Sequence, residues 1–532
     1  MNYAEVDAMT KVADLVLING KIITLNDSQP EAEAVAVENG KILFVGSDKQ
    51  TKQFIGDKTK VIDLHGKTVV PGFIDTHAHL TEFGFSLLQI DLRNVSSIKE
   101  IQQKLEREVT QKGQRQRWIL GFGWDQERLK EKRYPTRWDL DKAAPNNPVI
   151  LDRVCKHICV VNSKALELAG ITKESKVEGG EIDKDPETGE LTGILRENAK
   201  TLVWSAVPSP SDKEMERAMK LACEKAVEEG LTSVHWIVSS LKEYFLLRKL
   251  QEEKTLPLRV YVIFPIRFLD ELVQKGLFTG FGDEKIKIGC VKILLDGSLG
   301  ARTAALNKPY NDEPQSKGML LYSKNELQKL VTNAHKLGFQ LAIHAIGDKA
   351  IETALDAVEV ALKEKPKEDC RHRIEHASVL NKKLIKRLKK LSVIASVQPH
   401  FVISDFWVAQ RVGKARARWV YPFKSLLREG VCTTGGSDSP IEPISPLLGV
   451  WAAVSRKSFP REKIGVEEAL RLYTLNAAWA SFEENVKGSI EKEKFADFVV
   501  LSEDIRAVAP ENLRNVKVEM TIINGEVVFS GR

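Results

Sequence analysis

The chain has 532 residues, of which 43% are hydrophobic and 29% are charged. These are ordinary values for a globular protein, and the length allows about three domain-sized units. Lys and Arg (79) exceed Asp and Glu (73) by only 6, so the charge excludes a general attraction to nucleic acid or to an anionic membrane surface.

The N-terminal stretch MNYAEVDAMTKVADLVL contains acidic residues and lacks the basic-then-apolar order of a signal peptide. No stretch approaches the ~18 uncharged apolar residues of a membrane span. The 6 cysteines are scattered, and the single close pair, Cys155 and Cys159, is too little for a structural zinc site. We therefore expect a cytoplasmic protein with reduced thiols.

Short strand-like runs fill both ends of the chain. Residues 1–68 contain ADLVLINGKIITL and AVAVENGKILFVG, and residues 488–532 contain FADFVVL and VEMTIINGEVVFSG. Asn-Gly between apolar runs, in INGK and ENGK, predicts β-hairpins. The strands of each segment have edges with unpaired backbone N–H and C=O groups, and these groups are best paired if the N-terminal and C-terminal strands join in one sheet. The sequence therefore predicts one small β-domain built from both termini.

Between the two ends, strand-like runs alternate with amphipathic helical stretches, a pattern that predicts a parallel α/β sheet or barrel. The longest gap follows the first strand, where we expect an α/β insertion over residues 85–221. The barrel would then comprise strand 1 at 69–84 and a remainder at 222–487. The eight candidate strands lie at residues 69–75, 231–237, 258–264, 288–295, 339–345, 371–377, 392–398 and 431–438.

The fourth candidate strand, IGCVKILL, carries Lys292 in a run that is otherwise apolar. Such a run is typical of a strand that is buried on both faces. A buried ammonium group is costly unless it is paired or neutralised. The side chain could reach water, form a buried ion pair, or be converted chemically, and the strand alone does not decide among these.

The first candidate strand ends in GFIDTHAHL, in which His77 and His79 are separated by one residue. On an extended strand the two side chains point to the same side, with Cα atoms ~6.5–7 Å apart. Two imidazoles at that spacing can share one divalent ion with Zn–N bonds of ~2.0–2.1 Å. Two satisfied polar residues at a strand end are the alternative interpretation.

Further metal-binding residue types occur at the ends of other candidate strands. The carboxyl edge of a barrel is where active sites are built, so these side chains would converge there. Structural packing would account for a single histidine at a strand end, but not for the whole set of metal-binding residue types at this edge. We therefore predict a metal site. The candidate ligands are His77, His79, Lys292, His344, His376 and Asp438.

The motifs VVPGFIDTHAHL, VKILLDGSLGARTAAL, AIHAIGDKA, HRIEHAS and GGSDSPIEP occur in this order along the chain. With them, the sequence resembles the amidohydrolase superfamily, and within it the amidohydrolase 3 group, which includes N-substituted formamide deformylases. The resemblance implies an α/β fold with a TIM-type (β/α)8 barrel. It also implies a small β-sandwich made from both termini, in agreement with the strand pattern above.

The resemblance implies two divalent metal ions, expected to be zinc. His77, His79 and Asp438 correspond to ligands of one ion, and His344 and His376 to ligands of the other. Lys292 matches the position at which CO2 forms a carbamate that bridges both ions. That modification would replace the buried cation by an anion, which two cations stabilise.

The expected reaction is hydrolysis of a C-N bond other than a peptide bond in a small-molecule substrate, such as an amide or an N-substituted formamide. A metal-bridging hydroxide would be the nucleophile, with Asp438 and Lys292 as the catalytic side chains. His157, Arg302 and Gln398 are candidate substrate contacts, although Arg302 could equally form a structural ion pair. Lys156 stands where relatives usually have a glycine, and this departure affects the substrate contacts expected beside it but not the metal site. A homodimer is expected.

Three alternatives remain at this point. A mononuclear aminohydrolase acting on a purine- or pyrimidine-like ring would place a glutamate three residues after His344, where this chain has Gly347. A serine hydrolase is suggested by DGSLG, but Asp296 replaces the first glycine of the nucleophile elbow. A metal-free scaffold is the third, and the intact set of ligands argues against it. His235, at the end of the second strand, could support a ligand or simply pack.

Overall fold

The computed structural model describes residues 11–112, 117–153 and 158–531. The chain divides into two compact units, one formed by residues 82–219 and the other by residues 1–81 together with 220–532. The boundaries fall inside helices Leu80–Leu87 and Asp212–Glu228. Within the described ranges no helix has both the length and the apolar character that crossing a membrane requires.

The larger unit contains one sheet of eight parallel strands that neighbour each other in chain order. The first and last strands approach each other through a parallel bridge between Ala78 and Ser439, so the sheet is a nearly closed TIM-type barrel. All eight predicted strands are present. They are β1 (Phe73–Ala78), β2 (Leu231–Ile237), β3 (Arg259–Pro265), β4 (Ile286–Leu294), β5 (Gln340–Ala345), β6 (Arg373–His376), β7 (Ile394–Val397) and β8 (Thr433–Gly435).

The prediction of a single first strand over residues 69–75 was wrong, because this stretch is two strands. Thr68–Pro71 pairs antiparallel with Phe498–Leu501 outside the barrel, and β1 begins only after Gly72. A Cβ atom at Gly72 would lie 2.3 Å from Thr232 Oγ1 on β2. The close approach of the branched Thr232 side chain therefore favours glycine at the point where the chain passes from one sheet to the other.

Amphipathic helices accompany the barrel strands. Helix Lys324–Lys336 begins with a capping box, in which Ser323 N donates to Glu326 Oε2 at 2.9 Å and Glu326 N donates to Ser323 Oγ at 3.3 Å. Helix Asp348–Glu364 buries apolar side chains at a spacing of three and four residues, as a helix packed on a sheet should. The other helices of this unit, besides the two that contain the unit boundaries, are Asp48–Thr51, Leu241–Glu252, Leu269–Gln274, Lys382–Lys390, Phe401–Ser404, Val408–Val412, Lys414–Ala417, Phe423–Arg428, Pro446–Ser455, Val466–Leu472 and Leu475–Ala480.

The chain ends form two further sheets in the same unit, and one of them pairs strands of both termini, as predicted. Leu17 and Val37 from one sheet share a hydrophobic core with Val69, Phe498 and Ile522 from the other. The six-stranded sheet runs Glu526–Ser530, Val518–Ile523, Phe498–Leu501, Thr68–Pro71, Lys21–Ile23, Glu31–Ala32, and the four-stranded sheet runs Lys41–Gly46, Ala34–Glu38, Leu15–Ile18, Lys60–Asp63.

One of the two predicted N-terminal hairpins is present and the other is not. Asn39 and Gly40 have φ angles of 51° and 74° and join two antiparallel neighbours, as the ENGK motif predicts. Asn19, in INGK, also has a positive φ of 55°, but the strands before and after it belong to different sheets. The turn signal is therefore correct in both places, and the hairpin at INGK was wrong because each flanking strand pairs elsewhere.

The smaller unit is an α/β structure around a six-stranded mixed sheet. Trp124 lies in its core, fully buried, and its indole N–H donates to the carbonyl oxygen of Leu151 at 2.8 Å. The sheet order is Gly180–Lys184, Leu191–Glu197, Ile158–Val161, Val149–Arg153, Ile119–Trp124, Ile90–Asp91, and the helices are Ile98–Lys112, Arg137–Asp141, Ser163–Leu168 and Lys200–Trp204.

Candidate metal centre

The end of β1 presents His77 and His79 beside the segment that follows β8. The Nδ1 nitrogen of His77 contacts the carboxylate of Glu375, and both side chains are fully buried. Because a carboxylate accepts, Nδ1 carries a proton, and Nε2 is the ring nitrogen that can offer a lone pair on the other side. That Nε2 lies 3.2 Å from Asp438 Oδ1, and His79 Nε2 lies 3.6 Å from the same oxygen.

This donor set fits a divalent cation. A ring nitrogen and a carboxylate oxygen that both point lone pairs at each other repel, unless a cation lies between them. Tetrahedral zinc with bonds of ~2.0–2.1 Å separates its ligand atoms by about 3.3 Å. The ligand atoms of His77, His79 and Asp438 all lie within 4.8 Å of one another, so three side chains are already gathered around one ion-sized position.

Two more histidines stand next to this group. The rings of His344 and His376 have their centroids 4.4 Å apart, and the centroid of His376 lies 4.9 Å from that of His77. His344 Nε2 lies 3.3 Å from the carbonyl oxygen of Gly297, to which it donates, leaving Nδ1 with a lone pair. The Nδ1 atom of His376 is buried without a hydrogen-bond partner. The predicted ligands therefore converge at the carboxyl end of the barrel.

The environment keeps these histidines neutral. Burial lowers the pKa of His79 to about 3, and the charge of Lys292 adds to this effect. Burial and then Lys292 likewise lower the pKa of His344 to about 4, and burial and His344 hold the pKa of His376 well below its usual value. A histidine must be neutral to bind a metal ion, so all three rings are in the protonation state that coordination needs.

Lys292 reaches the same place from β4. Its Nζ lies 3.0 Å from His77 Nε2, the nitrogen whose lone pair is available. The strand is less enclosed than its apolar sequence predicts, because Leu294 is 48% exposed and Lys292 itself is half-buried. The unmodified ammonium group thus stands among the candidate ligands.

The sequence interpretation missed Glu375 and Arg373, which support His77 from inside the barrel. Arg373 donates from Nε to Glu375 Oε1 at 2.7 Å and from Nη2 to Oε2 at 3.0 Å. Burial would raise the pKa of Glu375, but the charge of Arg373 and the hydrogen bonds from His77 and Arg373 outweigh it and hold this pKa well below its usual value. The signal was present in HRIEH, where two opposite charges alternate on a buried strand just before a ligand.

The loop after β4 is held by Asp296. Its buried carboxylate accepts hydrogen bonds from the backbone N–H groups of Ala305, Ile346 and Gly347 at 2.9, 3.0 and 2.9 Å. Burial raises its pKa to about 6. Asp296 is thus a loop anchor, and DGSLG is no nucleophile elbow. A Cβ atom at Gly347 would lie 1.9 Å from Ala305 O, so this backbone cannot carry the glutamate of an aminohydrolase there.

The structure describes two of the three predicted substrate contacts, Arg302 and Gln398. Arg302 pairs with Asp312 at 3.0 Å and with Glu313 at 3.3 Å, which is the structural ion pair considered as its alternative. Gln398 is buried beyond the end of β7, and its side-chain amide donates to Ser396 O at 3.3 Å. His157 lies outside the described residues.

His235 is fully buried on β2, and its Nδ1 accepts from Arg373 Nη1 at 2.7 Å. It therefore packs inside the barrel and contacts the side chain that supports Glu375. The sequence interpretation left these two roles as alternatives, and the structure combines them.

Comparison with known proteins places the chain in a family. The model of the amidohydrolase family matches residues 60–529. The N-substituted formamide deformylase of Arthrobacter pascens is 30% identical over 97% of this chain and 98% of its own, and the protein LONG AFTER FAR-RED 3 of Arabidopsis thaliana is 36% identical over 92% and 87%. A crystal structure of an uncharacterised metal-dependent hydrolase from Pyrococcus furiosus is 35% identical, with a TM-score of 0.79 over 93% of this chain and 99% of that one. The chain belongs to the amidohydrolase family, a family of metal-dependent hydrolases that act on carbon-nitrogen bonds.

Proposed function

We propose that this enzyme uses two divalent metal ions, with zinc as the first candidate, to hydrolyse an amide or an N-substituted formamide. The observation that carries the proposal is the convergence of three ligand side chains within 4.8 Å, with a further histidine pair beside them. The relative from Arthrobacter pascens, which is named as an N-substituted formamide deformylase, supports this substrate class.

We further propose that Lys292 carries a carbamate. Its Nζ lies 3.0 Å from His77 Nε2, so the unmodified cation stands where cations are to be bound and would repel them. Carboxylation of the ammonium form by CO2 forms a bond from Nζ to carbon and releases two protons, which turns the side chain from a cation into an anion with two oxygen atoms. Those oxygens could reach one ion beside His77 and a second beside His344.

Divalent ions at this site would supply Lewis acidity, which polarises a carbonyl group and lowers the pKa of water. We assign the proton transfer to Asp438, and its position supports this assignment. Its Oδ1 lies beside the Nε2 atoms of His77 and His79 at 3.2 and 3.6 Å, and its backbone N–H donates to His77 O at 2.7 Å, which fixes its position. In the proposed mechanism Asp438 accepts the proton of the attacking water and delivers it to the leaving nitrogen.

The substrate class can be tested with protein purified in the presence of Zn2+ and bicarbonate. We expect about two ions per chain by elemental analysis, and hydrolysis of N-formyl or N-acyl amines, or of cyclic amides. Release of ammonia from nucleobases alone would overturn this choice in favour of an aminohydrolase. Protein that binds no ion under these conditions would favour a scaffold.

The carbamate is tested by Lys292→Ala, with Lys287→Ala as the matched control. Lys287 lies on the same strand and pairs with Glu483 at 2.9 Å, at the other end of β4. We expect K292A to lose bound metal and to lose activity by more than about 100-fold, since loss of a side chain that binds the ions directly should exceed the roughly 10–100-fold effect of losing a hydrogen-bond partner of a ligand. Added short carboxylates should restore part of the activity.

The control K287A should keep both the metal and the activity. K292A that retains two ions and full activity without added carboxylate would contradict the carbamate. Electron density for an unmodified lysine in protein purified with metal and CO2 would contradict it as well.

Several sequence predictions remain proposals. They are the substrate contacts by His157, Arg302 and Gln398, the homodimer, the cytoplasmic location, and a β-sandwich domain from residues 1–68 and 488–532. The ion pairs of Arg302 reduce its availability to a substrate, so Gln398 is the better described candidate of the three.

A further inference from the structure

A chain of polar side chains crosses the interior of the barrel beneath the candidate ligands. It runs from His235 on β2 through Arg373 and Glu375 on β6 to His77 on β1, and all four side chains are fully buried. Interiors of this kind are normally filled by apolar side chains. A buried charged pair that ends on a candidate ligand therefore calls for an explanation beyond packing.

Arg373 is held from several sides. Besides its two hydrogen bonds to Glu375, it donates to His235 Nδ1 at 2.7 Å, to Thr76 O at 2.7 Å and to Ser396 Oγ at 3.0 Å. The planar guanidinium group thus has a single orientation. Because it binds both carboxylate oxygens, it fixes the orientation of the Glu375 carboxylate as well.

The two oxygens of Glu375 have different partners. Oε1 accepts from Arg373 Nε, whereas Oε2 accepts from Arg373 Nη2, from Ser396 Oγ at 2.9 Å and from His77 Nδ1–H. The contact at His77 fixes which ring nitrogen carries the proton. A histidine with its proton on Nδ1 has its lone pair on Nε2, the atom that faces Asp438 at 3.2 Å.

We propose that Glu375 is a positioning residue for the metal centre, which holds His77 in the Nδ1–H tautomer and aims Nε2 at the ion, while Arg373 holds the Glu375 carboxylate. This inference rests on the proposed metal-dependent function. A ligand histidine commonly donates its second ring N–H to a carboxylate, and loss of such a partner costs roughly 10–100-fold in metal affinity or activity. A buried ion pair with a purely structural role would have no such link to metal binding.

The test compares Glu375→Gln with Glu243→Gln. Glutamine has nearly the same shape but only one oxygen, so it cannot serve both the guanidinium group and His77. Glu243 is the matched control, because it is also buried and its hydrogen bonds come from Trp236 Nε1 at 3.0 Å, from Ser239 N and Oγ at 2.8 Å and from Thr81 Oγ1, none of which is a candidate ligand.

We expect E375Q to bind Zn2+ or Co2+ roughly 10–100-fold more weakly than the wild type, in competition with a chelator, and to change the visible spectrum of the Co2+ form. E243Q should keep the wild-type affinity and spectrum, even if its melting temperature falls. Wild-type affinity and an unchanged Co2+ spectrum in E375Q would overturn the inference.

A second readout needs no metal. In long-range 1H–15N spectra of histidine-labelled, metal-free protein, His77 should show the Nδ1–H tautomer, with His77→Asn used to assign its signals. In E375Q the signals should shift to the other tautomer or to a mixture. An Nε2–H tautomer in the wild type, or an unchanged Nδ1–H tautomer in E375Q, would overturn the inference.

Should E375Q fail to fold, Arg373→Met combined with Glu375→Gln removes both charges and leaves no unpaired ion in the barrel. The double variant should fold and still bind metal weakly, and wild-type affinity in it would overturn the inference. Wild-type protein that binds metal but hydrolyses no amide would refute only the proposed substrate. Wild-type protein that binds no metal would refute both proposals.

Discussion

Two histidine clusters lie at opposite ends of the same barrel strand. His376 is the last residue of β6 and belongs to the candidate metal centre, whereas His372 immediately precedes β6 and contacts His335. All three side chains of the His372 cluster are buried, whereas His79 and Asp438 in the other are half-buried, and in both the potential ligand atoms of three side chains lie within 4.8 Å of one another. Distance alone therefore does not distinguish them.

The hydrogen bonds do distinguish them. Leu341 N–H donates to His372 Nδ1 at 3.1 Å, so the proton of His372 is on Nε2, which donates to His335 Nδ1 at 3.0 Å. His335 Nε2–H in turn donates to Lys365 O at 2.8 Å. Every lone pair in this row faces a proton, and a metal at His372 Nε2 would force its Nδ1–H against the N–H of Leu341.

At the carboxyl end of the strand the arrangement is reversed. His77 Nε2 faces both Asp438 Oδ1 at 3.2 Å and Lys292 Nζ at 3.0 Å, and His376 Nδ1 has no hydrogen-bond partner. The comparison teaches that buried histidines mark a metal site when their ring nitrogens converge on a carboxylate without forming a closed set of hydrogen bonds among themselves. Where each lone pair already receives a proton, the same residues are structural, although Cys370 beside them completes a plausible-looking trio.

The strongest test of this difference is His77→Ala. We expect it to remove a ligand and to lower metal affinity by more than the roughly 100-fold upper value for an outer partner, with a parallel loss of hydrolysis. Elemental analysis and activity measured on metal-loaded protein would show it. A variant that keeps its full metal content would mean that the converging lone pairs are not the metal site.

His372→Ala tests the other end of the strand. It leaves the buried N–H of Leu341 and the Nδ1 atom of His335 without partners, at about 1–3 kcal/mol each. We expect the free energy of unfolding in urea to fall by about 2–5 kcal/mol, with the bound metal unchanged. If H372A lost metal while it remained folded, the two clusters would not be as different as their hydrogen bonds indicate.

The smallest expected effect is on the pH dependence of stability. Burial first, and then electrostatic interactions with His335 and Lys367, lower the pKa of His372 to about 3, against ~6.5 in the unfolded chain. Between these values the unfolded state binds a proton that the folded state does not. The stability that the neutral His372 contributes to the folded state is therefore fully present above pH ~6.5 and is lost as the pH falls towards 3.

At pH 4.5 the loss in the free energy of unfolding through His372 amounts to about 2–3 kcal/mol. In urea unfolding of metal-free protein at pH 7 and pH 4.5, His372→Gln should lose less stability between the two pH values than the wild type, by about that amount. His79 and His344 titrate in the same direction in both proteins, so the difference isolates His372. Equal losses would show that His372 is not held neutral.

The repeating parts of the fold could be predicted because they depend on local pattern. The run LTSVHWI is strand Leu231–Ile237, as predicted, because a short run rich in β-branched and aromatic residues favours a buried parallel strand. The stretch at residues 69–75 could not be divided from the sequence, because the division depends on how closely Gly72 approaches Thr232. The hairpin predicted at INGK was wrong for a related reason. The turn depends on local residues, whereas the pairing of its flanking strands depends on residues far away in the chain.

The sequence by itself determined which residue types stand at the ends of the barrel strands, and through its ordered motifs it determined the family. It also contained Lys292, a cation that demanded an explanation. Only the tertiary structure decided that Glu375 supports His77, that Arg302 is paired with Asp312, and that His335 and His372 satisfy each other. Side-chain chemistry is local, but the direction of each lone pair depends on a partner that the closure of the barrel brings from elsewhere in the chain.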